Sequence, residues 1–145
     1  MNSSHVAISN LIATYAELVD AGDFGGLGAL LTEAAFLGSD TSVTGQVAIE
    51  KMFADYVIRY EDGTPRTKHV TTNLAIEVDE ENGTAVSRSY FVVLQALPDL
   101  PLQTIASGRY HDRFHRRAGT WAFAERRVHL DLIGDVSHHL RRGTD

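Results

Sequence analysis

Apolar residues open the chain at a three-and-four spacing, Ile8, Leu11, Ile12, Tyr15 and Val19, which predicts a helix with one buried face, starting from Ser3 or Ser4 as N-cap and stopping at Ala21-Gly22. Asp23 follows as a cap for a second, shorter helix through Leu27, Leu30 and Leu31. Gly25, Gly26 and Gly28 each weaken that helix by roughly 1 kcal/mol relative to alanine. Ala35 to Leu37 reads as a short extended piece. Over residues 46–60, Val47, Ile49, Met52, Phe53, Tyr56 and Val57 fall mostly on one helical face, which predicts a third helix.

From Thr67 the period drops to two. Leu74, Ile76 and Val78 alternate with polar neighbours, and Glu80-Glu81-Asn82-Gly83 supplies a hairpin turn. The return strand, residues 84–96, is rich in β-branched and aromatic side chains, and Pro98 and Pro101 end it in a loop. Two more strands are expected over 103–117 and 120–133, joined at Ala118-Gly119. Helices first and a meander of strands afterwards predict an α+β fold, three N-terminal helices packed on one face of a curved antiparallel sheet. No repeat or linker interrupts the pattern. Residues 1–136 therefore read as one domain and 137–145 as a polar tail, either a frayed end or an oligomer contact.

Composition narrows the partners. At 145 residues the chain buries one substantial core, and no apolar run approaches the roughly 20 residues of a membrane helix. The start, MNSSHVAISN, lacks the basic and apolar stretches of a secretory signal, and there is no cysteine, so disulfides and thiolate chemistry are excluded and a cytoplasmic location is expected. A formal net charge of −6, with arginines scattered among carboxylates, argues against nucleic acid.

Candidate chemistry starts with a misplaced acid. Asp20 stands near the end of the first helix, where the negative end of the helix dipole disfavours it, so a partner is expected. His69 is the candidate: a carboxylate on one ring nitrogen fixes the tautomer that leaves the other free to take a proton. Tyr15 would donate a hydrogen bond to developing negative charge, or else is a buried core tyrosine on the apolar stripe. Strict alternation sets His69 with Thr71 and Asn73, opposite Leu74, Ile76 and Val78, and on its own would turn the ring to solvent. Arg126 alternates with Ala124, Val128 and Leu130 on the more apolar side and needs a partner, a substrate oxygen or a buried acid.

Other chemistries fail on spacing or context. His111 and His115 lie four apart on one strand, roughly 13 Å at 3.3 Å per residue, too far to share a metal ion. His138-His139 reads as a solvated end. The glycines from Gly22 to Gly28 lie between helices, which does not suit a dinucleotide loop, and no G-x-S-x-G elbow supports a hydrolase triad.

Several landmarks occur in order: Tyr15, Asp20 and Asp23 as Y-x4-D-x-x-D; Gly45-Gln46-Val47-Ala48-Ile49; Thr67-Lys68-His69-Val70-Thr71-Thr72-Asn73; Gly108-Arg109-Tyr110-His111-Asp112; and Gly119-Thr120-Trp121. Over nearly its whole length the chain resembles the SnoaL-like branch of the nuclear-transport-factor-2-like superfamily, alongside scytalone dehydratase, ketosteroid isomerase and bile-acid dehydratase. The resemblance implies a cone-shaped barrel, a pocket between helices and sheet, no cofactor and no metal, and a homodimer or homotrimer. It implies an Asp-His pair at Asp20 and His69, the tyrosine at Tyr15, and a dehydrochlorinase-type arginine at Arg126. Scytalone dehydratase-like enzymes carry a second histidine on the penultimate strand, where this chain has Ser107, Gly108 and Arg109 with His111 displaced. The expected activity is dehydration, isomerisation or a related elimination on a hydrophobic cyclic small molecule such as a polyketide, steroid-like or terpenoid compound. A non-catalytic binding or subunit-like member and a polyketide cyclase are the alternatives.

Overall fold

Helix α1 (Ser3–Ala21) buries Ile8, Ile12, Tyr15 and Val19, the stripe its spacing predicts, in a computed structural model that describes residues 3–141. It ends where Gly22 adopts φ +71°, with Gly22 N–H bonded to Val19 O and Asp23 N–H to Leu18 O, both at 3.0 Å. Asp23 then caps α2 (Phe24–Leu30), accepting from the Gly26 N–H at 2.8 Å. The strands β1 (Ala35–Leu37) and β2 (Ser42–Thr44) form a small hairpin, of which the sequence pattern anticipates only the first arm. Helix α3 (Gln46–Tyr56) stops four residues before its predicted end. Val57 turns extended to pair with Leu140, and the Ile58 N–H goes to His139 O instead of back along a helix.

Four long strands follow: β3 (Thr67–Asp79), β4 (Thr84–Leu97), β5 (Leu100–Arg117) and β6 (Thr120–Ile133). The sheet order is β2-β1-β6-β5-β4-β3. The α+β class and the helices packed on the sheet are as predicted, but the sheet is mixed, because β1 lies parallel to β6, and it does not close into a barrel. The loop expected from Pro98 to Pro101 is a tight turn, since Leu97 already pairs with Leu100, and Pro101 sits in the irregular first residues of β5 where a missing N–H is tolerated.

Two bulges decide which side chains face the helices. Between Thr72 and Ala75 the register of β3 slips by one residue against β4, with Asn73 at φ +54°. His69 therefore pairs with buried Val93 and Thr71 with buried Phe91, while beyond the slip Ile76 and Val78 pair with buried Ser87 and Ala85. His69 and the apolar residues thus share the inner face, which overturns the alternation reading. On β6 the same device lies between the pairs Phe114–Phe123 and Arg113–Glu125, so that Phe123 and Arg126 both point inward. The core between helices and sheet is aromatic, with Tyr15 at 5.9 Å from Tyr110, and Phe91 stacked on Tyr110 at 4.5 Å, centroid to centroid. No helix among the described residues is long and apolar enough to cross a membrane.

Candidate active site

Asp20 is held by three donors, which answers the question its position raises. Its Oδ1 accepts from the Thr67 hydroxyl at 2.8 Å and from His69 Nδ1 at 2.7 Å, and its Oδ2 accepts from the His69 backbone N–H at 2.8 Å. Burial pushes the carboxyl up, yet the ring bond, charge and backbone N–H of His69 together with Thr67 outweigh it and leave Asp20 below its ordinary value. An ionised carboxylate only accepts, so the proton of a neutral His69 lies on Nδ1, and Nε2 keeps its lone pair. The two side chains are 10% and 12% exposed, which screens the pair from bulk water while leaving the ring at the wall of a cavity.

That cavity has a volume of about 840 Å³ and lies between the helices and the inner sheet face. Val19, Phe36, Phe53, Phe91 and Val93 make much of its wall apolar, Tyr15, His69 and His139 interrupt it with polar groups, and Asp40, Arg109 and Arg127 add charged ones. Tyr15 is 4% exposed, and its hydroxyl is pushed up to about 12, chiefly by burial, against the pull of the Arg126 charge. It stays protonated at neutral pH and remains a donor.

Arg126 does not line the cavity. It is fully buried, bonded to Asp112 through Nε at 2.8 Å and Nη2 at 2.9 Å, with its guanidinium 3.6 Å above the Tyr110 ring and 4.2 Å above that of Tyr15. Of the two partners left open for this charge, the structure supplies the buried acid. The sequence reading groups Asp20, His69, Tyr15 and Arg126; the structure puts Tyr15 and the Asp20-bound His69 on one cavity and Arg126 behind its wall.

The histidines divide differently from expectation. His139 is 7% exposed and lines the cavity, contrary to the solvated end expected of His138-His139, because the backbone of its segment pairs with the residues after α3. His111 is exposed and lies beside His129 at 4.9 Å between ring centroids, on the face away from the helices. Among the described residues no three His, Asp or Glu side chains gather as a metal site would require. The sequence reading missed Thr67, Asp112 and His139. Thr67 shares a strand face with His69, and Asp112 alternates with buried Tyr110 and Phe114, so both carried a signal; His139 carried none.

The model of the SnoaL-like domain family matches residues 3–127. No curated protein matches the sequence. Among solved structures, the chain is similar to Rv3472, a protein of unknown function from Mycobacterium tuberculosis, at 29% identity and a TM-score of 0.75 over 90% of this chain and 73% of that one. It is similar to a nuclear-transport-factor-2-like protein with a cystatin-like fold from Novosphingobium aromaticivorans, 21% identical with a TM-score of 0.74 over 92% and 85% of the two chains. A protein from the same organism, provisionally assigned as a scytalone dehydratase, is 21% identical with a TM-score of 0.71 over 91% and 87%. The last two likenesses establish the fold.

Proposed function

The chain belongs to the SnoaL-like domain family, and from that premise we propose that it is a cofactor-independent lyase or isomerase acting on a hydrophobic cyclic small molecule. One observation carries the reading: an imidazole anchored by a carboxylate at 2.7 Å lines a cavity of about 840 Å³ that is more apolar than polar, room for a fused-ring polyketide, steroid-like or terpenoid skeleton. His69 Nε2 removes a proton from the carbon beside a carbonyl. Asp20 holds the ring and stabilises the imidazolium. Tyr15 donates to the oxygen on which charge develops, and Arg126, its charge paired with Asp112, packs against the Tyr15 ring from behind and holds it in place. In a dehydration the electron pair of the broken C–H bond forms the new double bond, the C–O bond breaks, and the hydroxide leaves as water with the proton that the His69 imidazolium gives up; in an isomerisation His69 returns the proton to another carbon. We assign self-association as a homodimer or homotrimer to the sheet face away from the helices, where Val86 and Tyr90 are exposed, and light scattering checks the mass.

The test is a panel of cyclic hydroxy-ketones and enones incubated with wild-type and His69→Ala protein, following loss of water or double-bond migration. Turnover by the wild type that falls by roughly 10²–10⁴-fold in the folded variant is expected. Turnover that survives the substitution undiminished removes His69 from the chemistry. Binding without turnover by the wild type across the panel would favour a carrier.

A further inference from the structure

A second imidazole reaches the same cavity, and nothing in the Asp20–His69 pair requires it. His139 lies past β6 in a polar segment, with its ring 6.1 Å from that of His69, centroid to centroid, at an interplanar angle of 62°. Both rings line the cavity. The backbone around His139 is tied down on each side. Gln95 Nε2 at 3.1 Å and the Tyr60 hydroxyl donate to His138 O, the Ile58 N–H donates to His139 O at 2.8 Å, and the Arg141 N–H donates to Tyr56 O at 2.8 Å. Anchors at residues 138, 139 and 141 set the ring in place; they do not describe a frayed end.

Yet the ring that this scaffold presents has no partner of its own for Nδ1, which is buried without a hydrogen bond. Such atoms are uncommon in folded proteins and ask for an explanation. Burial, helped by the neighbouring His69 and opposed by Asp20, pushes the imidazole down to about 4, so at neutral pH it is uncharged and keeps a single N–H to give.

We propose that His139 is a second catalytic residue, donating a hydrogen bond from Nε2, the ring nitrogen that is not occluded, to the oxygen of a bound cyclic ketone or enol while His69 exchanges the proton on the neighbouring carbon. The proposal rests on the reading of His69 as the base. The C–H bond breaks, its electron pair moves into the carbon–carbon bond of an enolate, the proton goes to His69 Nε2, and the charge that collects on oxygen meets the His139 N–H. Nothing is oxidised or reduced. A neutral donor suits this place, since a charged one would repel the imidazolium forming on His69.

The test uses 2-naphthol, a planar and stable mimic of an enol, titrated into full-length protein carrying ¹⁵N-labelled histidine. Binding is read by naphthol fluorescence and the ring nitrogens by long-range proton–nitrogen spectra. In the wild type the His139 ring nitrogens are expected to move on binding. His139→Phe should weaken naphthol about tenfold, the loss of one hydrogen bond, and His139→Gln, which keeps an N–H donor, should recover most of it. The His139 response should persist in His69→Ala. Failure of naphthol to bind the wild type, unmoved His139 nitrogens in the saturated complex, or equal affinity in a folded His139→Phe variant would each overturn the proposal. The role of His69 as base is read separately, by its effect on turnover, so either assignment can fail while the other stands.

Discussion

Replacing Asp20 by asparagine keeps the shape of the side chain and changes only what its two terminal atoms offer. In the native side chain both oxygens accept: Oδ1 from the Thr67 hydroxyl and His69 Nδ1, Oδ2 from the His69 backbone N–H. Asparagine has one accepting end and one donating end. The backbone N–H cannot reverse, so the amide oxygen settles opposite it and the NH2 turns toward Thr67 and His69. The threonine hydroxyl rotates to accept. The imidazole can comply only by moving its own proton to Nε2, which abolishes the lone pair needed for proton removal. Hydrogen bonds to a charged acceptor contribute about 1.5–3 kcal/mol and neutral ones about 1, so three bonds losing their charge lower stability by about 1.5–6 kcal/mol. Because the folded carboxyl lies below its ordinary value, this contribution is fully present above the unfolded-state pKa and is lost as pH falls through the folded one, so the gap between wild type and Asp20→Asn narrows in acid. Urea denaturation gives the stability, and long-range proton–nitrogen spectra of the His69 ring report the tautomer. A variant that keeps the proton on Nδ1, with an unchanged denaturation midpoint, would show that the Asp20 charge fixes neither the tautomer nor the fold.

Arg126→Met leaves the Asp112 carboxylate buried and unpaired and is expected to cost about 3–5 kcal/mol in urea denaturation, much of it recovered when Asp112→Leu is added. Gly22→Ala should cost about 2 kcal/mol or more, measured in the same way, because the residue sits at φ +71° and a Cβ there would stand 2.0 Å from Gly63 O. His139 is neutral in the fold down to about pH 4 against 6.5 for an ordinary histidine, so the unfolded chain takes up its proton first. Stability should therefore fall by up to about 3 kcal/mol as pH drops from 6.5 to 4, and His139→Phe should flatten that part of the denaturation-midpoint curve.

The long elements are legible because burying one face imposes a period: Ile8, Ile12, Tyr15 and Val19 announce α1. What resists reading is what breaks the period or arrives from far along the chain. The bulge at Asn73 adds one residue to β3, and counting by twos then puts His69 on the wrong face; the only local hint is an asparagine, a residue that tolerates positive φ. Val57 continues the apolar stripe of α3 but leaves the helix for Leu140, 83 positions away by number, and no local propensity encodes that contact. Strand β2 spans three residues, too few to show alternation. At the site, the Asp20–His69 pair is legible as a misplaced acid in search of a partner, whereas His139 hides among polar neighbours that resemble a tail.

Proton transfer by His69, steadied by Asp20, within the cavity is tested most directly by deuterium wash-in from D2O at the acidic carbon of a hydrophobic cyclic ketone such as 2-tetralone, followed by proton NMR. This readout does not depend on whether water loss or double-bond migration follows. Exchange by the wild type is expected well above the buffer rate, falling by roughly 10²-fold or more in His69→Ala and in Asp20→Asn. Exchange at the same elevated rate in the wild type and in folded His69→Ala protein would contradict proton transfer by His69.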